Sequence, residues 1–235
     1  MISENLAAVT KRITIAAKKV NRDPGSVKLV CVTKGRTIEQ IKVAASLGVS
    51  DIGENRVQEA VEKYNNLKPD TSNLKPKWHL IGHLQTNKAK DAVRIFDLIH
   101  SVDSFKLAQE IHKQAAKINK VQDVLIEVNI SGEPTKFGVA PEKLMVLAKD
   151  MISLYNIKLS GLMAIAPVVE NPQAARPYFV KLRELKEEIN NSLLKAYSLK
   201  LMTLSMGMSQ DYEVAIEEGA TMVRIGTAIF EGVTK

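Results

Sequence analysis

One cysteine, Cys31, stands in 235 residues, so no disulfide can close within this chain. That suits a reducing compartment. No apolar run approaches the ~18 residues that a membrane span needs. The first 23 residues are amphipathic and charged, without the apolar centre of a signal peptide. Together these absences predict a cytoplasmic protein with no membrane partner. Aromatic residues make up only 5% of the chain and the lysines are scattered. A nucleic-acid surface calls for clustered cations interleaved with aromatic platforms. The formal net charge of +7 therefore reads as a solvated basic surface that suits a small anionic ligand. Low-complexity tracts, composition shifts and linkers are also missing. Residues 1–235 are read as one domain, long enough to bury a sizeable core without staples.

What is present is an alternation. Ile2, Leu6, Val9 and Ile13 recur at helical spacing and predict a leading helix over 2–20. Asp23-Pro24-Gly25 then turns the chain. Eight short apolar runs follow, over 27–33, 50–53, 78–81, 98–102, 123–130, 157–163, 201–204 and 221–225. Each ends in a small or polar turn, and amphipathic segments separate them. Thr37 is the expected N-cap of the helix after the first strand, and Pro141 opens the helix after the fifth. A long helix is expected over 173–196, and a loop rich in Pro, Asn and Lys over 66–77. Strands that alternate with helices pair in parallel. Eight such units in about 200 residues fit the lower size range of a single α/β (β/α)8 TIM barrel, here with an extra N-terminal helix. A doubly wound open sheet is the runner-up.

In a βα barrel the functional groups gather at the C-terminal ends of the strands. Those positions hold Lys34, Glu54-Asn55, His83, Asp103, Asn129, Met163, Ser205, and Arg224 with Gly226-Thr227. The stretch 201–232 organises them. Its two apolar runs each end in a glycine-bearing turn, at 205–209 and at 226–227. Backbone N–H groups in such turns make a nest for an anion, and barrel enzymes commonly seat phosphate after strands seven and eight. A phosphorylated ligand follows from position alone. Lys34 faces the same mouth, and a neutral lysine amine forms a Schiff base with an aldehyde. Phosphate plus aldehyde suggests pyridoxal 5'-phosphate (PLP), or a sugar phosphate in an aldolase. Arg224 lies inside an apolar strand, and a buried guanidinium needs a partner. That partner is a structural ion pair or a pyridine nitrogen, which an arginine would leave unprotonated and so weaken the ring as an electron sink. His79 and His83 are four apart, which places two metal ligands on one face only in a helix; 78–81 reads as a strand, so no metal is expected. Glu54 and Asp103 are expected in surface or loop roles, and Lys136 as a solvated loop lysine.

At this point the motifs match a family. They are VCVTKGRT around Lys34, DIGENRVQEA at 51–60, WHLIGHLQTNK at 78–88, EVNISGEPTKFGV at 127–139, GLMAIAP at 161–167 and LSMGMSQDYEVAIEEGATMVRIGTAIFEG at 204–232. The chain resembles, over nearly its whole length, the pyridoxal phosphate homeostasis proteins, whose fold is like the N-terminal barrel of alanine racemase. The resemblance implies a monomeric barrel that carries PLP as a Schiff base on Lys34. By the same match Arg224 would face the pyridine nitrogen. Ser205, Gly226 and Thr227 would hold the phosphate, Asn55 would lie beside the ring, and Met163 would line the pocket. It further implies storage or delivery of the cofactor in intracellular PLP homeostasis and amino-acid balance, with PLP-dependent apo-enzymes as recipients and no established turnover. The alternative is a PLP-dependent amino-acid racemase or another weak PLP enzyme. A racemase needs two bases; Lys34 can be one, and the tyrosine-bearing β domain that supplies the second in alanine racemase is not expected here. Gly35-Arg36 departs from the family's usual polar or Lys-Pro sequence after the lysine and should alter the pocket rim. His83 stands where some members have proline and is given no role.

Overall fold

The computed structural model describes residues 1–67 and 75–233. Eight strands are present among them: β1 (Lys28–Val32), β2 (Asp51–Glu54), β3 (Lys77–Leu80), β4 (Leu98–Val102), β5 (Gln122–Glu127), β6 (Ile157–Met163), β7 (Thr203–Ser205) and β8 (Met222–Ile225). They pair in chain order, all in parallel, and β8 closes back onto β1 through Lys28–Met222 to Cys31–Ile225. The sheet is therefore a closed barrel, and the open-sheet alternative is excluded. Most of the predicted loop at 66–77 lies outside the described residues.

The helices are α1 (Ile2–Lys19), α2 (Ile38–Ser46), α3 (Val57–Asn66), α4 (Ala89–Ile95), α5 (Phe105–Ala116), α6 (Pro141–Met151), α7 (Arg176–Tyr197), α8 (Tyr212–Glu217) and α9 (Thr227–Phe230). Thr37 and Gln40 form a reciprocal capping box that starts α2. Ser104 caps α5, and Pro141 occupies the first turn of α6, where its missing N–H costs nothing. The leading helix α1 packs on α8 and α9 beside the seam between β8 and β1. Asn5 ties it there by donating to Ile229 O (3.0 Å), and Arg22 by donating to Ile216 O and Ala220 O (both 2.8 Å).

Two strands differ from the sequence expectation by more than one residue at an end. The seventh starts at Thr203 rather than 201, because Asn190 on α7 engages both backbone groups of Leu201 (2.7 and 3.0 Å). The fifth stops at Glu127 rather than 130. There the chain turns so that Asn129 N–H reaches Val139 O (3.0 Å), and the Asn129 side chain donates to Glu133 O and Lys136 O. Asn129 is thus a loop-holding residue.

Strand side chains alternate between the helical layer and the barrel interior. Ile99, Val124, Ile126, Leu162, Leu204, Val223 and Ile225 belong to the main core beneath the helices. The opposite parity fills the interior, which is divided in kind. One part is a small apolar cluster of Leu98, Leu125 and Met163, with Ile165 and Met222 against it. The other is polar and contains Asp51, His79, His100, Ser205 and Arg224, all buried.

Candidate functional site

The mouth at the strand C-termini holds a cavity of about 380 Å³. Lys34, Asn55, Arg224, Gly226 and Thr227 line it together, with apolar walls from Val32, Ile81 and Ile165. A larger, open hollow of about 760 Å³ lies between the start of α1 and the first residues of β1 and β2. That end of a barrel serves stability rather than chemistry, so the smaller cavity is the site.

Lys34 is exposed on a tight turn just past β1. Gly35 takes φ +67° there, and Arg36 N–H closes the turn on Thr33 O (3.0 Å). The turn is fastened from behind by one buried cation. Lys63 Nζ, carried by α3, donates to Thr33 O (2.6 Å), Glu54 Oε1 (2.7 Å) and Glu59 Oε1 (2.6 Å). Glu59 in turn accepts from Gly35 N–H (2.6 Å), and Thr33 Oγ1 donates to Glu54 (2.5 Å). Glu54, expected near the surface, is fully buried in this network. Burial pushes its pKa up, against the hydrogen bonds from Lys63 and Thr33. A braced backbone therefore presents to the cavity the side chain of Lys34, which has no hydrogen-bond or ion-pair partner among the described residues. Asn55 sits next along the rim, where its backbone crosses Gly82 so closely that a Cβ there would lie 2.3 Å from Asn55 O.

The opposite arc is built by the turns after β7 and β8. Gly207 takes φ +90°, and a Cβ on it would stand 2.6 Å from Ala215 Cβ; no other residue fits this close turn. Asp211 Oδ1 accepts from Met208 N–H (2.6 Å), and Ser209 Oγ accepts from Ala228 N–H (3.3 Å), which ties the two turns together. Arg36 lies over the Phe230 ring at 4.9 Å and also lines the cavity. The charged lining is thus Lys34, Arg36 and Arg224 against Asp211 alone. This balance favours an anionic ligand.

Arg224 is 3% exposed. Burial pushes its pKa down to about 10, with Glu127 and Asp211 opposing the shift, so it stays charged at neutral pH. Nη1 donates to Ser205 Oγ (2.7 Å) and Nη2 to Ala164 O (2.9 Å). A guanidinium has five N–H donors, and these two bonds are its only ones to described residues, although it borders the cavity. A buried cation with spare donors facing a cavity suits an acceptor atom on a ligand.

Ser205 and Met163 are not in the cavity lining. Both side chains turn into the barrel below the mouth: Ser205 supports Arg224 from beneath, and Met163 is fully buried in the apolar cluster. His79 and His83 part company as well. His79 is buried on β3 with partners Asp51 and His100. His83 stacks on Phe137 (centroids 3.8 Å apart) and lies 3.6 Å from Asp103. Lys136 pairs with Glu133 at 2.7 Å.

Several buried groups of the barrel were not singled out from sequence: Asp51, Lys63, His100 and Glu127. His79 and His100 carried the same signal as Arg224, a polar side chain inside an apolar strand. The Glu59–Lys63 pair carried the i,i+4 signal of a helix. Glu127 ends β5, and its Oε2 is buried with no hydrogen-bond partner among the described residues. It lines a second cavity of about 200 Å³, which Ile165 divides from the first. Burial, and secondarily Asp103, push its pKa up to about 7, with Arg224 opposing.

With this geometry in hand, comparison with known proteins is specific. The model of the alanine racemase N-terminal domain matches residues 5–233. A pyridoxal phosphate homeostasis protein of Aquifex aeolicus is 49% identical over 227 residues, 97% of this chain and 96% of that protein. The protein of that name in Escherichia coli is 37% identical, over 97% and 95% of the two chains. Among solved structures, PipY of Synechococcus elongatus, described with PLP bound, superposes with a TM-score of 0.82 at 34% identity, covering 98% of this chain and all of that one. Alanine racemase of Clostridium difficile shares the fold at 17% identity and a TM-score of 0.71, covering 99% of this chain and 58% of the racemase.

Proposed function

Since this chain belongs to the pyridoxal phosphate homeostasis protein family, built on the alanine racemase N-terminal domain, we propose that it binds PLP reversibly for cofactor homeostasis and holds it as a Schiff base on Lys34. The observation that carries this reading is one cavity that combines a free amine on a braced turn, a buried guanidinium with spare donors, and two tied glycine turns. The residues present fit the cofactor's three handles. Bound there, PLP supplies an aldehyde that links reversibly to an amine.

Each residue then has a separable task. Lys34 offers the amine. Arg224 turns its spare donors to the pyridine nitrogen and, being charged, leaves that nitrogen unprotonated. The cofactor's power as an electron sink stays low, which suits a carrier. Gly226, Thr227 and the turn at 208–211 take the phosphate, helped by the cation of Arg36. Asn55 borders the ring. Ser205 acts through Arg224, and Met163 packs the apolar floor below. One chain supplies the whole lining, so a monomer suffices. Among the described residues no helix is long and apolar enough to cross a membrane, in keeping with action in the cytoplasm. PLP-dependent apo-enzymes are the recipients in this reading.

Adding PLP to purified protein should produce a yellow absorbance band, and Lys34→Ala should abolish it while circular dichroism shows an intact fold. A band that survives in Lys34→Ala would place the linkage on another lysine.

A further inference from the structure

A line of five buried polar groups crosses the barrel interior. Arg224 Nη1 donates to Ser205 Oγ (2.7 Å), and Ser205 Oγ meets His100 Nδ1 (2.9 Å). His100 Nε2 meets His79 Nδ1 (2.9 Å), and His79 Nε2 meets Asp51 Oδ1 (2.9 Å). The side chains come from β8, β7, β4, β3 and β2, and none is more than 3% exposed. Asp51 opens β2, so the line ends at the opposite face of the barrel, where Lys28 Nζ stands 3.2 Å from the same oxygen.

The direction of these bonds follows from the chemistry of each group. Burial would push the Asp51 pKa up, but hydrogen bonds from His79 and Ser50, and the charges of His79 and Lys28, hold it below the usual carboxylate range. Asp51 is therefore an ionised acceptor, and His79 Nε2 carries a proton. Burial, with the charges of His79 and Arg224, pushes His100 well below the usual imidazole value, so His100 is neutral and has one ring proton. Two hydrogen arrangements satisfy the line. With a single proton on His79, His100 donates to His79 and Ser205 donates to His100. With both His79 nitrogens protonated, the donors between His79 and Ser205 reverse. Ser205 Oγ accepts from Arg224 in either case. The other anchor of the guanidinium is Ala164 O, so without Ser205 its plane keeps one hinge and can swing.

We infer that His79 and His100 are positioning residues: acting through Ser205, they fix the face that Arg224 turns toward the cofactor cavity, with Asp51 anchoring the line at the far end of the barrel. The inference deepens, and rests on, the assignment of Arg224 to the ring nitrogen.

Three variants test it. His100→Leu and Ser205→Ala cut the line at different links. Leu125→Ala removes bulk from the apolar part of the same interior and removes none of the line's hydrogen bonds. In cofactor-free protein, heteronuclear NMR of the arginine side-chain N–H groups should show distinct, slowly exchanging Arg224 signals in the parent and in Leu125→Ala. Both line variants should lose them. In PLP-loaded protein the line variants should bind about tenfold more weakly, the equivalent of one hydrogen bond, and move the absorbance band. Leu125→Ala should lower Tm and leave the band in place. Unchanged Arg224 signals in the line variants, or their loss in Leu125→Ala too, overturns the inference. If His100→Leu does not fold, Ser205→Ala decides. A parent protein that binds no PLP overturns the proposed function instead, and the NMR arm still judges the positioning role.

Discussion

Glu54 and Glu127 both end strands at the mouth of the barrel, both are buried, and burial raises the pKa of both. Their surroundings separate them. Glu54 accepts from Lys63 and Thr33, and that network braces the turn of Lys34. Glu54 Oε2 and Glu127 Oε2 both lack a partner among the described residues, but Glu127 has among them no counterpart of the Lys63 cation and borders a cavity. The first is a beam of the scaffold. Burial pushes the pKa of the second up to about 7 with no hydrogen bond from the described residues to oppose it, the mark of a group kept for something other than stability. Depth of burial does not tell a structural carboxylate from a functional one; the partner does.

The contrast is broken most forcefully at Lys63. Lys63→Met would leave Glu54 buried without its cation, and should cost about 3–5 kcal/mol by chemical denaturation. It should also weaken PLP binding, because the Lys34 turn loses its brace. A loss below about 1 kcal/mol would mean that Glu54 needs no partner.

Glu127 should respond with the opposite sign. Its folded pKa of about 7 lies above the ordinary 4.5, so folding favours the protonated form. The parent should lose stability as pH rises from about 4.5 to about 7 and then level off, by about 3 kcal/mol in all. Glu127→Gln, which cannot ionise, should be more stable than the parent by about that amount at pH 8 and by almost nothing at pH 4. Equal pH profiles for the two would show that Glu127 is already partnered in solution.

The smallest effect should come from a carboxylate with cations to spare. Glu217 holds Lys19 (2.7 Å) and also Arg176 (2.5 Å). Lys19→Ala should cost no more than about 0.5 kcal/mol and should matter less as salt is added. A larger loss would mean that the two cations are not redundant.

Much of this architecture was legible in the sequence, because its two periodicities carry it. Apolar runs between amphipathic segments specified eight βα units, and strand ends specified where chemistry gathers. Lys34, Arg224 and the glycine turns were readable for that reason. What stayed hidden depends on register between strands and on where helices land. Lys63 reaches Glu54 only because α3 packs back across β2. His79 meets His100 only because β3 and β4 align as they do. Ser205 and Met163 lie at the right strand ends, yet strand alternation turns their side chains into the interior. Among the described residues Glu127 Oε2 has no hydrogen-bond partner, and a sequence does not show which partners are missing.

The central claim is that Lys34 carries PLP in a cavity where Arg224 answers the ring. Borohydride reduction of the PLP-loaded protein, followed by peptide mapping, tests it most directly. The account predicts that reduction removes the yellow band and fixes the cofactor mass on the peptide that contains Lys34. A cofactor mass on any other lysine, or a protein that acquires neither colour nor mass, would contradict it.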